Sequence, residues 1–190
     1  MAIVKPGAPK AQIFDTPAGV ELNIPAPRNP FVVVFLPVWL VGWAFGWFTA
    51  FSAIGSRTSD PGATLFMVVW LSFWTLGGGF ALAMFAWSLA GREIVVLGPG
   101  RLAIAWRVFG VGRVREYDLV HAARLRVAPQ PYNPYDYRSG MRFWGIGGGP
   151  IAFDYGASTI RFGGALQEAE ASALVQRLIE RQPSLRGVSP

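Results

Sequence analysis

The sequence predicts a membrane α-helical hairpin followed by a mainly-β domain, a small seven-stranded antiparallel barrel capped by a C-terminal helix. Three observations lead there. Residues 31–55 and 63–90 form two apolar runs without a single charged side chain. From Arg92 onward the pattern switches to short alternating segments of strand length. The final stretch, residues 166–181, repeats its apolar residues at helical spacing. Composition agrees, because 52% of the 190 residues are hydrophobic and 15% are charged, against about 25% charged in ordinary soluble domains.

The first thirty residues hold six prolines and no periodicity, so residues 1–30 read as a proline-rich extended N-terminal arm. Residues 31–90 are the hairpin. Each apolar run exceeds the roughly 20 residues needed to cross a hydrocarbon core as a helix. The link between them, SRTSDPG at residues 56–62, is short enough to make the spans antiparallel neighbours. A cleavable signal peptide is not expected, since thirty residues precede the first run and that run is too long for an h-region. Lys5, Lys10 and Arg28 flank one outer end, and Arg92, Arg101 and Arg107 the other. The positive-inside bias then places both termini in the cytoplasm, with the protein in a bacterial inner membrane. The same bias accounts for a net charge of +6, carried by fifteen arginines and two lysines. No nucleic-acid partner is expected.

Inside the hairpin, Gly42 and Gly46 form a GxxxG in the first span, and Gly77, Gly78 and Gly79 sit at similar depth in the second. Small residues let backbones approach, so these five mark the expected helix crossing. Trp39, Trp43 and Trp47 recur every four residues, and Trp70 and Trp74 repeat the spacing. Such a stripe fits interfacial aromatic packing against lipid, or docking against another membrane protein. Neither run contains His, Lys, Arg, Asp or Glu, which leaves no side chains for a proton relay or ion path. Met67 and Met84 are weak ligand candidates for a haem-like group, and no cofactor is expected. The hairpin reads as an anchor or a docking surface.

Residues 91–182 read as the β-domain, with 183–190 as a tail. Strands are expected at residues 93–97, 101–108, 113–118, 121–127, 142–146, 151–155 and 158–162. The closing helix presents Leu166, Ala169, Ala173, Leu174 and Leu178 on one face. Glu168 and Glu170 open it, where they favour the positive end of the helix dipole.

The segments GREIVVLGPGRLAIAWRVFGVGRVREYDL and TIRFGGALQEAEASALVQRL, behind a two-span hairpin, carry a resemblance. Over roughly residues 30–182 the chain is similar to the bacterial pleckstrin-homology-like two-span membrane proteins of the YdbS/YdbT type. The resemblance implies topology and a pleckstrin-homology-like barrel rather than a reaction. In eukaryotic relatives of that fold, phosphoinositides sit on a basic loop between the first two strands. Here that loop is GPG with only Arg101 beside it, and one arginine is no multidentate phosphate cradle.

Arg113, Arg115, Arg124 and Arg126 are spaced two apart on neighbouring strands. They fit a basic patch toward anionic lipid or an acidic partner, or a solvated sheet face paired with Glu116 and Asp118. The insert APQPYNPYDYRSG, residues 128–140, is more than the barrel needs. Its Tyr132, Tyr135 and Tyr137, with Phe143 and Trp144 beyond, suit partner contact or the membrane interface.

Catalytic chemistry is not evident. His121 is the single histidine and lacks a nearby co-ligand or nucleophile in sequence. The chain has no cysteine, which excludes disulfides, thiolate metal sites and a cysteine nucleophile. The glycine clusters lack the context of a phosphate loop or dinucleotide fold. The sequence therefore points to a non-enzymatic accessory subunit that scaffolds integral membrane proteins of a larger complex, without a small-molecule substrate. The other reading is a stand-alone sensor of anionic membrane lipids or envelope stress.

Overall fold

A computed structural model of the chain describes residues 9–17, 19–56, 60–128 and 148–187. It divides into two compact units, residues 28–89 on one hand and residues 1–27 with 90–190 on the other.

The helical unit holds α1 (Pro30–Ser56) and α2 (Pro61–Ala90), of 27 and 30 residues. Both are long and apolar enough to cross a membrane. Their starts follow from local chemistry. Asn29 and Asp60 each precede a proline, whose missing N–H is no loss in the first turn. The Asn29 Oδ1 accepts from the Phe31 N–H at 3.0 Å, and the Asp60 Oδ1 from the Gly62 N–H at 3.0 Å. Within the helices Thr49, Ser52, Ser72 and Thr75 donate their hydroxyls to the carbonyl four residues earlier, each at 2.8 Å. That pattern suits an apolar surrounding in which water supplies no partner.

In the other unit five strands lie in sequential antiparallel order: β1 (Gln12–Thr16), β2 (Gly19–Pro25), β3 (Gly91–Gly98), β4 (Arg101–Val108) and β5 (Val111–Asp118). A second sheet holds β6 (Ala122–Val127), β7 (Ile151–Tyr155) and β8 (Ser158–Phe162), followed by α3 (Glu168–Arg181). The β3–β4 turn is the pair Pro99-Gly100, with Gly100 at a φ of 80° that other residues rarely adopt. One core joins both sheets and the helix. It is filled by Leu22, Ile24, Val95, Ile104, Phe153 and Phe162, with Leu174 and Leu178 from α3.

Four expectations change. The seven-stranded barrel is not closed, because among the described residues no pairing joins the five-stranded sheet to the three-stranded one. The proline-rich arm is not merely extended, because residues 12–25 form a hairpin whose second strand pairs with β3 from Val20↔Leu97 to Pro25↔Arg92. Val20, Leu22 and Ile24 face the core at 3%, 1% and 0% exposure, and burial of each stabilises by about 1.5–3 kcal/mol. The helical hairpin is thus an insertion between two hydrogen-bonded strands. On α3 the buried residues are Ala171, Leu174, Val175 and Leu178, while Ala169 and Ala173 face solvent and Leu166 precedes the helix. The supposed tail contributes too, as the 3₁₀ turn Pro183–Arg186 drives Leu185 into the core. The strand expected at residues 142–146 lies outside the described residues.

Candidate functional site

Within the hairpin the tryptophan stripe divides. The Trp43 indole N–H donates to the Trp74 carbonyl at 3.3 Å, and that of Trp47 to the Thr75 hydroxyl at 2.7 Å. Trp43 packs onto Gly78 so closely that a Cβ there would overlap its ring. Gly46 faces the Trp74 ring, where a Cβ would come within 3.1 Å. Glycine therefore makes room for tryptophan rather than for another glycine, and the two backbones stay a ring's width apart. Nothing lies within contact of a Cβ at Gly42, Gly77 or Gly79. The outward surface falls to Trp39 and Trp70, each 41% exposed, with exposed phenylalanines and valines around them. Of the tryptophans expected to dock, Trp43 and Trp47 are thus engaged inside the hairpin, because an indole N–H in apolar surroundings needs an acceptor, and the Trp74 ring is engaged against Gly46 and Trp70.

The four arginines do not make one patch. Arg113 and Arg115 lie on β5, and the Arg115 guanidinium stands 5.9 Å over the Trp106 ring. Arg124 and Arg126 lie on β6 in the other sheet, where a register shift between Ala123 and Arg126 puts Arg124 at a φ of 54°. Both turn onto one carboxylate. The Arg124 Nε is 2.6 Å from the Asp154 Oδ2, and the Arg126 Nη2 is 3.1 Å from the Oδ1, which also accepts from the Thr159 hydroxyl. The hydrogen bond from Arg126, outweighing the opposing effect of burial, holds the Asp154 carboxyl below its ordinary value. The pairing with Glu116 and Asp118 weighed from sequence does not occur for these arginines. Glu116 instead meets Arg101 at 3.5 Å, and Asp118 caps the following 3₁₀ turn.

A second carboxylate is buried. Glu93, 7% exposed on β3, accepts from the N–H of Gly163 at 2.8 Å and of Gly164 at 3.4 Å. Those glycines form the corner between β8 and α3. Burial raises the Glu93 carboxyl above its ordinary value, opposed by these two N–H groups and by the Trp106 side chain. Its task is to hold the corner. His121 is exposed, with its ring edge-on to Tyr155 at 6.2 Å. Among the described residues no three His, Cys, Asp or Glu side chains come together to hold a metal ion. Tyr132, Tyr135, Tyr137 and Trp144 lie outside the described residues.

Compared with family models, curated proteins and solved structures, the chain matches none. Three features escaped the sequence reading. Glu93 sits in register with Val95 and Leu97 on the core side of an alternating strand, a signal available in the sequence. Asp154 shows no such signal, since its role depends on the bulge in β6. Asp15, reached by Arg177 at 3.2 Å and Arg181 at 2.9 Å, ties β1 to α3 across the length of the chain.

Proposed function

We propose that this is a two-span protein of a bacterial inner membrane, with a cytoplasmic pleckstrin-homology-like domain of the YdbS/YdbT type, acting as a non-enzymatic accessory subunit of a larger membrane complex. The observation that carries the reading is the insertion of the hairpin between paired strands. β3 begins at Gly91, directly after the last residue of α2, and four residues separate β2 from α1. Because β2 and β3 are hydrogen-bonded neighbours, the segments flanking the spans lie on one side of the membrane. A domain tethered this tightly at both ends suits a scaffold better than a mobile sensor. Asp154 offsets one of the two charges of Arg124 and Arg126 and holds both side chains, which weakens the sensor reading further. Integral membrane proteins would meet the outward face of the hairpin around Trp39 and Trp70.

Extraction of the full chain from native membranes in mild detergent tests this, with a photoreactive residue placed at position 39 or 70. Stoichiometric integral-membrane partners, crosslinked through those positions, are the expected result. A monomer or homodimer that carries lipid alone would refute it.

A further inference from the structure

The turn between β4 and β5 is built unlike an ordinary hairpin. Two residues, Phe109 and Gly110, close it between the paired Val108 and Val111, and both have positive φ, 51° and 84°. Such turns favour Asn, Asp or Gly, because a side chain in the left-handed region is strained. Here a phenylalanine occupies the strained position with 77% of its surface exposed, and Val111 beside it is 79% exposed. Neither contributes to the core. Exposed apolar surface held on a strained hairpin tip outside the core is the mark of a contact site.

The register says where that tip lies. Val108 is the partner of Gly91, and Arg107 is the partner of Arg92. Gly91 is the first residue after α2, and its carbonyl accepts from the Ala26 N–H at 2.9 Å where β2 heads for α1. The turn is therefore at the end of the sheet from which the chain passes into both apolar helices. Neighbouring strands are about 5 Å apart and successive Cα atoms about 3.8 Å, so the Phe109 backbone lies within roughly 10 Å of Gly91. This reach is set by covalent geometry and hydrogen bonds within the β unit. It compares with a headgroup layer roughly 5–8 Å deep on each side of the hydrocarbon.

The charges fit the same surrounding. Arg92 and Arg107 stand directly opposite each other on one face of the sheet, while Arg113, one residue beyond the Arg107 partner Gly112, belongs to the other face beside the same turn. All three are exposed, and among the described residues none has an ion-pair partner. Like charges placed opposite one another on a sheet repel unless an anion lies between them. The carboxylate nearest in sequence, Glu93, is turned inward onto the Gly163 and Gly164 N–H groups.

We infer that the Phe109–Val111 turn is a membrane-contact site that seats its apolar tip in the headgroup layer while Arg92 and Arg107 hold anionic lipid phosphates. This contact goes beyond the scaffold reading and does not depend on any protein partner.

The absence of cysteine makes the test direct. Phe109→Cys in the full chain, labelled with an environment-sensitive fluorophore, is placed in phosphatidylcholine vesicles with and without phosphatidylglycerol. Val120→Cys is the control, being 84% exposed at the opposite end of the sheet, beyond Asp118 and its partner Arg101. Shallow spin-labelled lipid should quench the label at 109 at least about threefold more than at 120, since only the former would lie in the headgroup layer. The excess should shrink without phosphatidylglycerol and in the Arg92→Gln, Arg107→Gln double variant. Equal quenching at the two positions would overturn the site. Shielding of position 109 from both iodide and lipid quencher would overturn it in favour of protein cover. Quenching indifferent to phosphatidylglycerol would overturn the arginine assignment.

Discussion

Replacing Glu93 separates two jobs that one carboxylate performs. Its oxygen accepts the Gly163 and Gly164 N–H groups, and its buried negative charge opposes folding. Glu93→Ala removes both. Gly163 is buried, Trp106 half-buried and Gly164 exposed, so the Gly163 N–H is stranded, the Trp106 side chain loses its acceptor as well, and water reaches Gly164. Stranding a buried N–H costs about 1–3 kcal/mol, and the space left adds to it, so a loss of roughly 2–4 kcal/mol follows. Glu93→Gln keeps an acceptor and drops the charge, and its stability should stay within about 1 kcal/mol of the parent at neutral pH. By thermal unfolding in detergent, Glu93→Ala should melt roughly 5–15 °C lower and Glu93→Gln only a few degrees away. The sign with pH is set by the raised carboxyl. The folded chain holds this proton more tightly than the unfolded one, so the group's contribution is complete below about its ordinary 4.5 and is lost as pH climbs through the folded value. The parent should therefore lose stability relative to Glu93→Gln as pH rises from about 4.5. Parallel pH profiles for the two, or a glutamine variant as damaged as the alanine one, would refute the reasoning.

Other sites give equally direct outcomes. Gly78→Ala forces a Cβ into the Trp43 ring and should destabilise the hairpin by about 1–3 kcal/mol. Gly77→Ala and Gly79→Ala, with open space at that point, should be near neutral in the same thermal assay. Asp154→Asn releases Arg124 and Arg126; since both arginines are substantially exposed, a loss of only about 1–2 kcal/mol is expected in a denaturant titration. Because the folded Asp154 carboxyl lies below its ordinary 3.8, its contribution is present above that value and lost as pH falls beneath it, so acid should erase the difference between parent and variant. Leu22→Ala should cost about 2–5 kcal/mol, because that side chain is 1% exposed on β2, an interior strand of the five-stranded sheet. A melting temperature unchanged by Leu22→Ala would show that residues 12–25 are dispensable to the core.

The two long apolar helices and most of the strands were legible in the sequence, because both signals are local. A charge-free apolar run declares a helix of its own length, and alternation in β4 names the face that Leu102 and Ile104 share. The N-terminal strands were obscured by prolines and brevity. The sequence GVELNIP alternates, but its partner β3 lies beyond both helices, and short-range patterning holds no record of a pairing that distant. The apolar face of α3 was rotated for a related reason. Alanines at 169, 171 and 173 leave the periodicity ambiguous, and only contact with the sheets selects Ala171. For the site residues the shortfall was larger. The tryptophan spacing could not say which indoles turn inward, and the paired arginines could not disclose Asp154.

By itself, the sequence determined local conformation: two long apolar helices, alternating strands, and glycine-bearing turns. Those depend on neighbours within a few residues. The tertiary structure alone decided that the arm belongs to the sheet, that the helices are an insertion between its strands, and that Phe109 shares an end of the sheet with Gly91. Each rests on a pairing between residues far apart in the chain, where long-range hydrogen bonds and shared burial, rather than local propensity, set the free energy.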